Sequence, residues 1–310
     1  MLIIFESILP IFIITILGAI LKRTLLSSEE FWRGIEKLSY FILFPSMMIS
    51  SIHRVELKMS VLVKVIISVS IPTLIIAVVS LYYKKNNDTP NRSFTSVFQG
   101  SIRYNTYIFF GLGGSLFKQE GLSLVASISA FMIIITNILS VLVFYHYIPR
   151  EGEDKNLIIK MSKGLASNPL IISSFCGLFL NYFKINMSAG ILKTLNSLSG
   201  SAFAIGCLII GSALKFDFKN YSTQEIRDMG FSISIKLLLF PLLTVIVTKI
   251  LGVTGIAKFV CILFAGLPTA TNSYILARQL GGDYVMMSNI ITITTILSLF
   301  TLSLILYIFL

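Results

Sequence analysis

Long apolar runs alternate with short polar and charged segments along the whole chain. A run of roughly 20 apolar residues is long enough to cross the hydrocarbon core of a bilayer as a helix. Ten runs predict ten transmembrane helices, numbered 1 to 10, at residues 2–21, 35–52, 60–83, 94–115, 121–147, 163–182, 189–214, 231–250, 256–279 and 284–310. The connections, such as 84–92 and 215–230, are too short for a soluble domain. The pattern therefore predicts one all-α, polytopic membrane domain over 1–310.

Composition agrees with this class and explains the positive charge. Hydrophobic residues make up 55% of the chain and charged residues 13%, which an ordinary soluble domain does not show. The net charge of +11 comes from Lys and Arg in the short loops, fifteen in one alternate set and eight in the other. The positive-inside rule then predicts a multi-pass protein of the cytoplasmic membrane with both termini extracytoplasmic. Membrane orientation thus accounts for the charge, and we expect no nucleic-acid partner.

The second half of the chain repeats positions of the first half in the same order. The matched pairs are Pro10 with Pro169, Leu38 with Leu198, Pro72 with Pro241, and Asn105 with Asn272. Each half holds five predicted helices, and because five is odd, the second half must enter the membrane from the opposite side. The pattern predicts two inverted five-helix repeats, 1–147 and 163–310, joined by a short cytoplasmic linker at 148–162.

Predicted helices 4 and 9 carry polar residues where apolar ones are expected. In inverted-repeat transporters, interrupted helices of the two halves meet near the midplane and form the substrate site. Pro268 would interrupt helix 9, because a proline removes a backbone hydrogen bond, whereas helix 4 has no proline. The alternative is that these polar groups only join helices by hydrogen bonds. The candidate substrate-binding residues are Arg103, Tyr104, Asn105, Thr106, Pro268, Thr269, Thr271, Asn272 and Ser273.

The chemistry of these residues suits an anion. Helix N-termini and amide donors attract negative charge, and the Arg103 guanidinium could hold a carboxylate. If predicted helix 4 starts late, Arg103 is instead an anchor at the membrane surface. The acidic residues lie in predicted loops or near helix ends, which argues against a cation exchanger, although the coupling ion, H⁺ or Na⁺, stays open. Lys64 and Lys236 lie close enough to helix ends to reach the interface.

Enzymatic chemistry has no support in the pattern. No serine–histidine pair, His/Asp/Glu cluster or metal spacing falls at one predicted depth. The three cysteines, Cys176, Cys207 and Cys261, occupy separate apolar segments without a ligand pattern. We therefore expect neither an enzyme nor a bound metal or cofactor.

Several segments together resemble the auxin efflux carrier family of membrane transporters. They are "YFILFPSMMI", "RYNTYIFFGL", "SNPLIISSFCGLFL", "KLLLFPLLTVIV" and "GLPTATNSYILARQLGGD", and the resemblance covers nearly the whole chain. It implies ten helices in two inverted repeats, with helices 4 and 9 crossing near the membrane midplane at the substrate site. It also implies elevator-type movement of a transport domain against a scaffold, and malate, malonate or another organic anion as substrate. The plant exporters carry prolines at both crossings, whereas helix 4 here has Tyr104 and Asn105.

The sequence thus predicts a secondary transporter, a permease or efflux carrier, whose partners are a small organic anion and the lipid bilayer. A homodimer is a candidate assembly. The alternative is a ligand-sensing or channel-like membrane protein with the same fold.

Overall fold

The computed structural model describes residues 2–53, 59–148, 169–214 and 221–309. Regular structure in these ranges is helical. The helices are α1 Leu2–Arg23, α2 Glu29–Leu38, α3 Phe44–His53, α4 Met59–Asn86, α5 Asn91–Ile102, α6 Thr106–Tyr147, α7 Pro169–Tyr182, α8 Ala189–Ala213, α9 Thr223–Ser234, α10 Phe240–Ile250, α11 Gly255–Gly266, α12 Ser273–Leu280 and α13 Tyr284–Phe309. Two π-helical turns, Ser39–Leu43 and Ile235–Leu239, join α2 to α3 and α9 to α10.

The prediction of an all-helical membrane protein is confirmed. Among the described residues, five helical stretches are long and apolar enough to cross a membrane by length and composition: Ser60–Asn86, Asn91–Tyr147, Ala189–Ala213, Thr223–Ile250 and Tyr284–Phe309. Asn91–Tyr147 covers both predicted helices 4 and 5, so one of these stretches accounts for two predictions. The inverted relation between the two halves stays a prediction.

Predicted boundaries differ from the structure or fall outside it at several places, one being α2, which begins at Glu29 and not at residue 35. Residues 223–230 were expected in a loop but belong to α9, because Ser222 and Glu225 form a capping box that starts the helix early. The expected loop at 116–120 is a kink within α6, where Lys118 has a φ of 52°. Residues 163–168, predicted as the start of helix 6, lie outside the described residues.

The helices pack as two groups. In one group, α1 lies along α8 and α3 packs on α7. Backbones approach closely there, because Gly18 of α1 faces the Leu208 backbone and Gly211 of α8 faces the Thr15 backbone. Small residues permit such close helix contacts in membrane proteins. The second group consists of α4, α5, α6 and α9 to α13, and it contains the candidate site.

Aromatic side chains line one contact between the two groups. Phe44 of α3 lies 4.6 Å from Tyr107 and 5.9 Å from Phe110 of α6, measured between ring centres. Gly206 of α8 faces the Tyr107 side chain. This contact lies immediately after the start of α6, so the candidate site is next to the boundary between the groups.

Candidate substrate site at two helix interruptions

Two short non-helical segments contact each other directly. The first, 103–105, separates α5 from α6, and the second, 267–272, separates α11 from α12. The Asn105 backbone N–H donates to the Pro268 carbonyl across a distance of 2.9 Å. The first segment lies within predicted helix 4 and the second within predicted helix 9, so residues far apart in sequence share one site.

Asparagine, not proline, starts the helix after the first interruption. Asn105 has an extended backbone, and its Oδ1 accepts the Ile108 backbone N–H at 3.1 Å, as a helix N-cap does. Asn272 occupies the corresponding position before α12, although its side chain makes no capping hydrogen bond. Predicted helix 4 is therefore interrupted without a proline. The Asn105 side chain accepts a backbone N–H in the first turn of α6 that has no partner within the helix.

Thr269 fixes the second interruption to its neighbours. Its hydroxyl donates to the Gly100 carbonyl at 2.9 Å, and its backbone N–H donates to the Thr294 hydroxyl at 3.2 Å. These bonds attach the segment to α5 and α13. Non-helical backbone is tolerated in a membrane protein where it is buried and its polar groups are satisfied in this way.

Arg103 joins the two interruptions through its side chain. Its guanidinium donates to Asn272 Oδ1 at 3.2 Å and, over a longer distance of 3.5 Å, to Gln99 Oε1. The Arg103 side chain is 6% exposed, whereas Asn272 is exposed. This geometry favours a buried position for Arg103 over an anchor at the membrane surface. Asn272 therefore forms the exposed edge of the site.

Several buried polar atoms at the site have no hydrogen-bond partner within the described residues. They are Asn105 Nδ2, Gln99 Nε2 and Ser273 Oγ. The two amide nitrogens are donors only, so the group that would satisfy them is an acceptor. Leaving a buried donor unpaired costs about 1–3 kcal/mol, which a bound acceptor would recover.

Of the other predicted site residues, Tyr104 is buried by packing and the threonines Thr106 and Thr271 are half-buried. Tyr104 is buried, its hydroxyl donates to the Ser129 carbonyl at 3.5 Å, and its ring centre lies 4.4 Å from that of Phe264. Thr106 and Thr271 are half-buried at the first helical position of α6 and just before Asn272. Tyr104 is thus held mainly by packing between α6 and α11, while the two threonines lie at the margin of the site.

Sequence reasoning missed one residue beside the site and misplaced another. Gln99 was not singled out, although it lies one helical turn before Arg103. Lys236 was assigned to the membrane interface, and this is wrong: it is fully buried in the π-helical turn Ile235–Leu239. A local pattern cannot reveal this burial, because it depends on the helices that pack against that turn. Lys64, in contrast, is exposed.

Asp228 was also misplaced by the sequence. It was expected in a loop but lies in α9, fully buried, where Oδ1 accepts hydrogen bonds from Tyr83, Thr89 and Gln224. The distances are 2.7 Å, 2.9 Å and 2.9 Å respectively. This carboxylate joins the end of α4 to the start of α9.

Comparison with known proteins adds information about the whole chain. A family model described as membrane transport protein matches residues 3–306. An uncharacterized transporter from Methanothermobacter thermautotrophicus is 24% identical over 302 residues, which cover 96% of this chain and 96% of that protein. A putative malonate transporter from Rhizobium meliloti is 27% identical over 148 residues, covering 47% of this chain and 45% of that protein.

Proposed function

Because the chain belongs to the membrane transport protein family, that of the auxin efflux carriers, and is a membrane transporter, we propose that it carries a small organic anion through the contact between its two helix interruptions. The proposed substrate is a carboxylate such as malonate or malate. Binding would involve Arg103, Asn105 and Asn272, with backbone groups of the two interruptions around them.

The observation that carries this proposal is the set of buried donors around Arg103. Its guanidinium stays charged, and its hydrogen bonds within the described residues go to neutral amide oxygens of Gln99 and Asn272. Asn105 Nδ2 and Gln99 Nε2 lie nearby without an acceptor. A carboxylate supplies both the negative charge and the acceptor oxygens, and Arg binds carboxylates well.

The choice of malonate as a first substrate rests on one relative. The putative malonate transporter from Rhizobium meliloti matches about half of this chain, so its name supports the substrate class more than the particular acid. Malate has the same two carboxylates with an added hydroxyl. We therefore propose dicarboxylates as a class and use malonate as the probe.

Alternating access by an elevator-type movement is the proposed mechanism. It is supported by the two packing groups, because α1, α3, α7 and α8 could form a scaffold against which the other helices move. The two inverted repeats, 1–147 and 163–310, are supported by the N-cap positions of Asn105 and Asn272. Extracytoplasmic termini and a homodimer belong to the same proposal.

A binding experiment tests the site. Purified protein in lipid nanodiscs would be melted with malonate, malate and malonamide, which has the shape of malonate without its charge. We expect the two acids, but not the amide, to raise the melting temperature of the wild type. Arg103→Gln should remove this stabilisation, while Arg278→Gln, at an exposed position of α12, should retain it. An equal response of Arg103→Gln and wild type to malonate, with both folded, would contradict the site.

A transport experiment separates a carrier from the channel-like alternative. Protein in proteoliposomes would be supplied with radiolabelled malonate outside and an excess of unlabelled malonate inside. A carrier exchanges the two and accumulates label transiently above the external concentration, whereas a passive pore only lets concentrations become equal. Label that never exceeds the external concentration would rule against the proposed carrier.

A further inference from the structure

Three buried polar residues follow one face of the helix formed by α9 and the π-helical turn after it. Asp228, Ser232 and Lys236 are spaced four residues apart, and each is fully buried. A spacing of four places residues on the same side of a helix. Lys236 is the last of the three and lies in the π-helical turn, a feature that often occurs at functional sites.

Lys236 has aromatic neighbours but no acceptor. Its Nζ lies 4.4 Å from the centre of the Phe240 ring and 6.0 Å from that of Phe264. Within the described part of the chain, Nζ has no hydrogen-bond partner. Cation–π contacts stabilise an ammonium, but they recover only part of the hydration free energy that a charge loses on burial.

The charged and titratable side chains of the elements packed against this turn are held in other contacts. Asp228 accepts from Tyr83, Thr89 and Gln224 through Oδ1, while its buried Oδ2 has no hydrogen-bond partner among the described residues. Glu225 caps α9, and Arg227 donates to Gln224. Arg92 donates to Gly281, Cys261 to Val65, and Lys258 lies over Phe259. Lys249, Tyr284 and Tyr307 are exposed. Among the described residues no carboxylate forms an ion pair with Lys236, and Asp228, on the same face, lies about two helical turns away.

Lys236 nevertheless lies beside the candidate site. Phe264, which contacts Lys236, packs against Tyr104 with their ring centres 4.4 Å apart. Ser232, one turn earlier, donates to the Val97 carbonyl at 3.0 Å and so joins the same helix to α5. Lys236 Nζ is therefore no more than about 10 Å from the Tyr104 ring, a distance over which charges interact inside a protein.

We propose that Lys236 takes up a proton when an anion enters the site and releases it when the anion leaves, so that anion and proton cross the membrane together. This inference rests on the proposed function. The neutral amine gains H⁺ on the side where the anion binds, and the ammonium gives H⁺ to water on the side where the anion departs; no covalent bond to the substrate forms or breaks. Arg103 cannot take this role because its guanidinium does not lose its proton in proteins.

The coupling has an expected size. For an anion bound about 10 Å from Lys236 Nζ, at an effective dielectric constant of about 20, the two opposite charges favour each other by a factor of about ten in affinity. Coupling between two bound ligands is reciprocal, so the proton strengthens anion binding by the same factor. Anion affinity should therefore fall by about tenfold as pH rises through the range where Lys236 exchanges its proton.

The first experiment needs no substrate. Wild type, Lys236→Met and Lys236→Gln would be melted in nanodiscs across about pH 6 to 9. If Lys236 exchanges a proton in this range, the melting temperature of wild type relative to either variant stays constant below the pH of exchange and rises above it by about 3 °C or more, because the unfolded lysine remains protonated. A rise over the whole range would instead mean a lysine that stays neutral in the folded protein, and it would overturn the proposal. The control Lys64→Met, at an exposed position of α4, should keep a constant difference. A constant difference for a folded Lys236 variant as well would overturn the proposal.

The second experiment measures the coupling. Malonate affinity would be measured against pH in the same proteins, and malonate uptake into proteoliposomes would be measured with and without an inward proton gradient. We expect wild type and Lys64→Met to lose affinity with rising pH beyond the loss in Lys236→Met, and to respond to the gradient. Lys236→Met should exchange malonate without responding to it. An equal gradient response in Lys236→Met would overturn the proposal.

The two proposals can fail separately. If wild type neither binds nor exchanges malonate, the proposed function fails for this probe, and the substrate-free melting series alone decides whether Lys236 exchanges a proton. If wild type exchanges malonate but the difference in melting temperature between wild type and the Lys236 variants is constant with pH, the proposed function is supported and the proposed role of Lys236 is refuted.

Discussion

Replacing Asn105 by Asp tests the candidate site by exchanging the side-chain amide NH₂ for a carboxylate oxygen. The Asn105 side chain does two things: its Oδ1 caps α6 by accepting from Ile108, and its Nδ2 is a buried donor without a partner. Aspartate keeps the cap, since Asp and Asn are about equally good N-caps. It removes the donor and adds a negative charge at the place where we propose that a carboxylate binds.

The magnitudes separate the effect on folding from the effect on binding. Two like charges about 4 Å apart repel by about 4 kcal/mol at an effective dielectric constant of about 20. Losing a donor to a charged group costs about 1.5–3 kcal/mol more, part of which relaxation recovers. We therefore expect Asn105→Asp to weaken malonate binding by at least about 100-fold. Its free energy of unfolding is measured separately, because the cap is kept while the new carboxylate is buried at a cost of its own.

The assay is titration of malonate by thermal shift or calorimetry in nanodiscs, with melting in the absence of ligand as the measure of folding. Asn105→Ala should lose the cap as well, so its stability should fall by about 1 kcal/mol. Asn86→Asp, at an exposed position of α4, is the matched control and should bind malonate like the wild type. A folded Asn105→Asp protein with wild-type affinity would refute the reasoning.

Three further predictions concern stability, each measured by thermal unfolding in nanodiscs against a paired variant. Thr269→Val should lower the free energy of unfolding by about 1 kcal/mol through loss of its bond to α5, and Thr269→Ser, which keeps the hydroxyl, should lose less. Gly211→Leu should prevent close packing of α1 on α8 and destabilise strongly, whereas Gly200→Leu, where an added Cβ meets no atom within 4 Å, should not. Asp228→Ala should cost about 3 kcal/mol or more because it leaves three donors buried, whereas Asp88→Ala, at an exposed position, should stay within about 0.5 kcal/mol of wild type. Equal melting temperatures within any pair would contradict the corresponding contact.

Much of the fold could be predicted because the length of an apolar run is a local property of the sequence. A run of apolar residues is read directly from the chain, and in a membrane such a run has few structures open to it other than a helix. The family resemblance, read from segments spread over the chain, is confirmed by the family model that matches 3–306. The absence of enzyme motifs agrees with that family.

The boundaries were less predictable where capping opposed the hydrophobic pattern. Residues 223–230 are polar and therefore predicted a loop, yet Ser222 and Glu225 start α9 there. The capping box is itself a sequence signal that the hydrophobic pattern outweighed. Capping was also overlooked in predicted helix 4. The lack of a proline argued against an interruption there, yet Asn105 is a good N-cap and starts α6.

The candidate site was only partly readable, because contacts between distant segments decide it. The matched positions of Asn105 and Asn272 pointed to the two interruptions, but not to the hydrogen bond from Asn105 to Pro268 or to the approach of Arg103 to Asn272. Gln99 was missed for the same reason, since its proximity to Arg103 became significant only once the second interruption lay beside it.

The sequence by itself determined the class of the protein, its helices and the polar residues that interrupt two of them, because these follow from hydrophobicity, charge and capping within short stretches. Only the tertiary structure decided which polar residues are buried. Lys64 and Lys236 look alike in sequence, each a few residues from a predicted helix end, yet one is exposed and the other is enclosed by aromatic rings. The difference arises because burial depends on the neighbouring helices that pack against a residue, and those neighbours come from elsewhere in the chain.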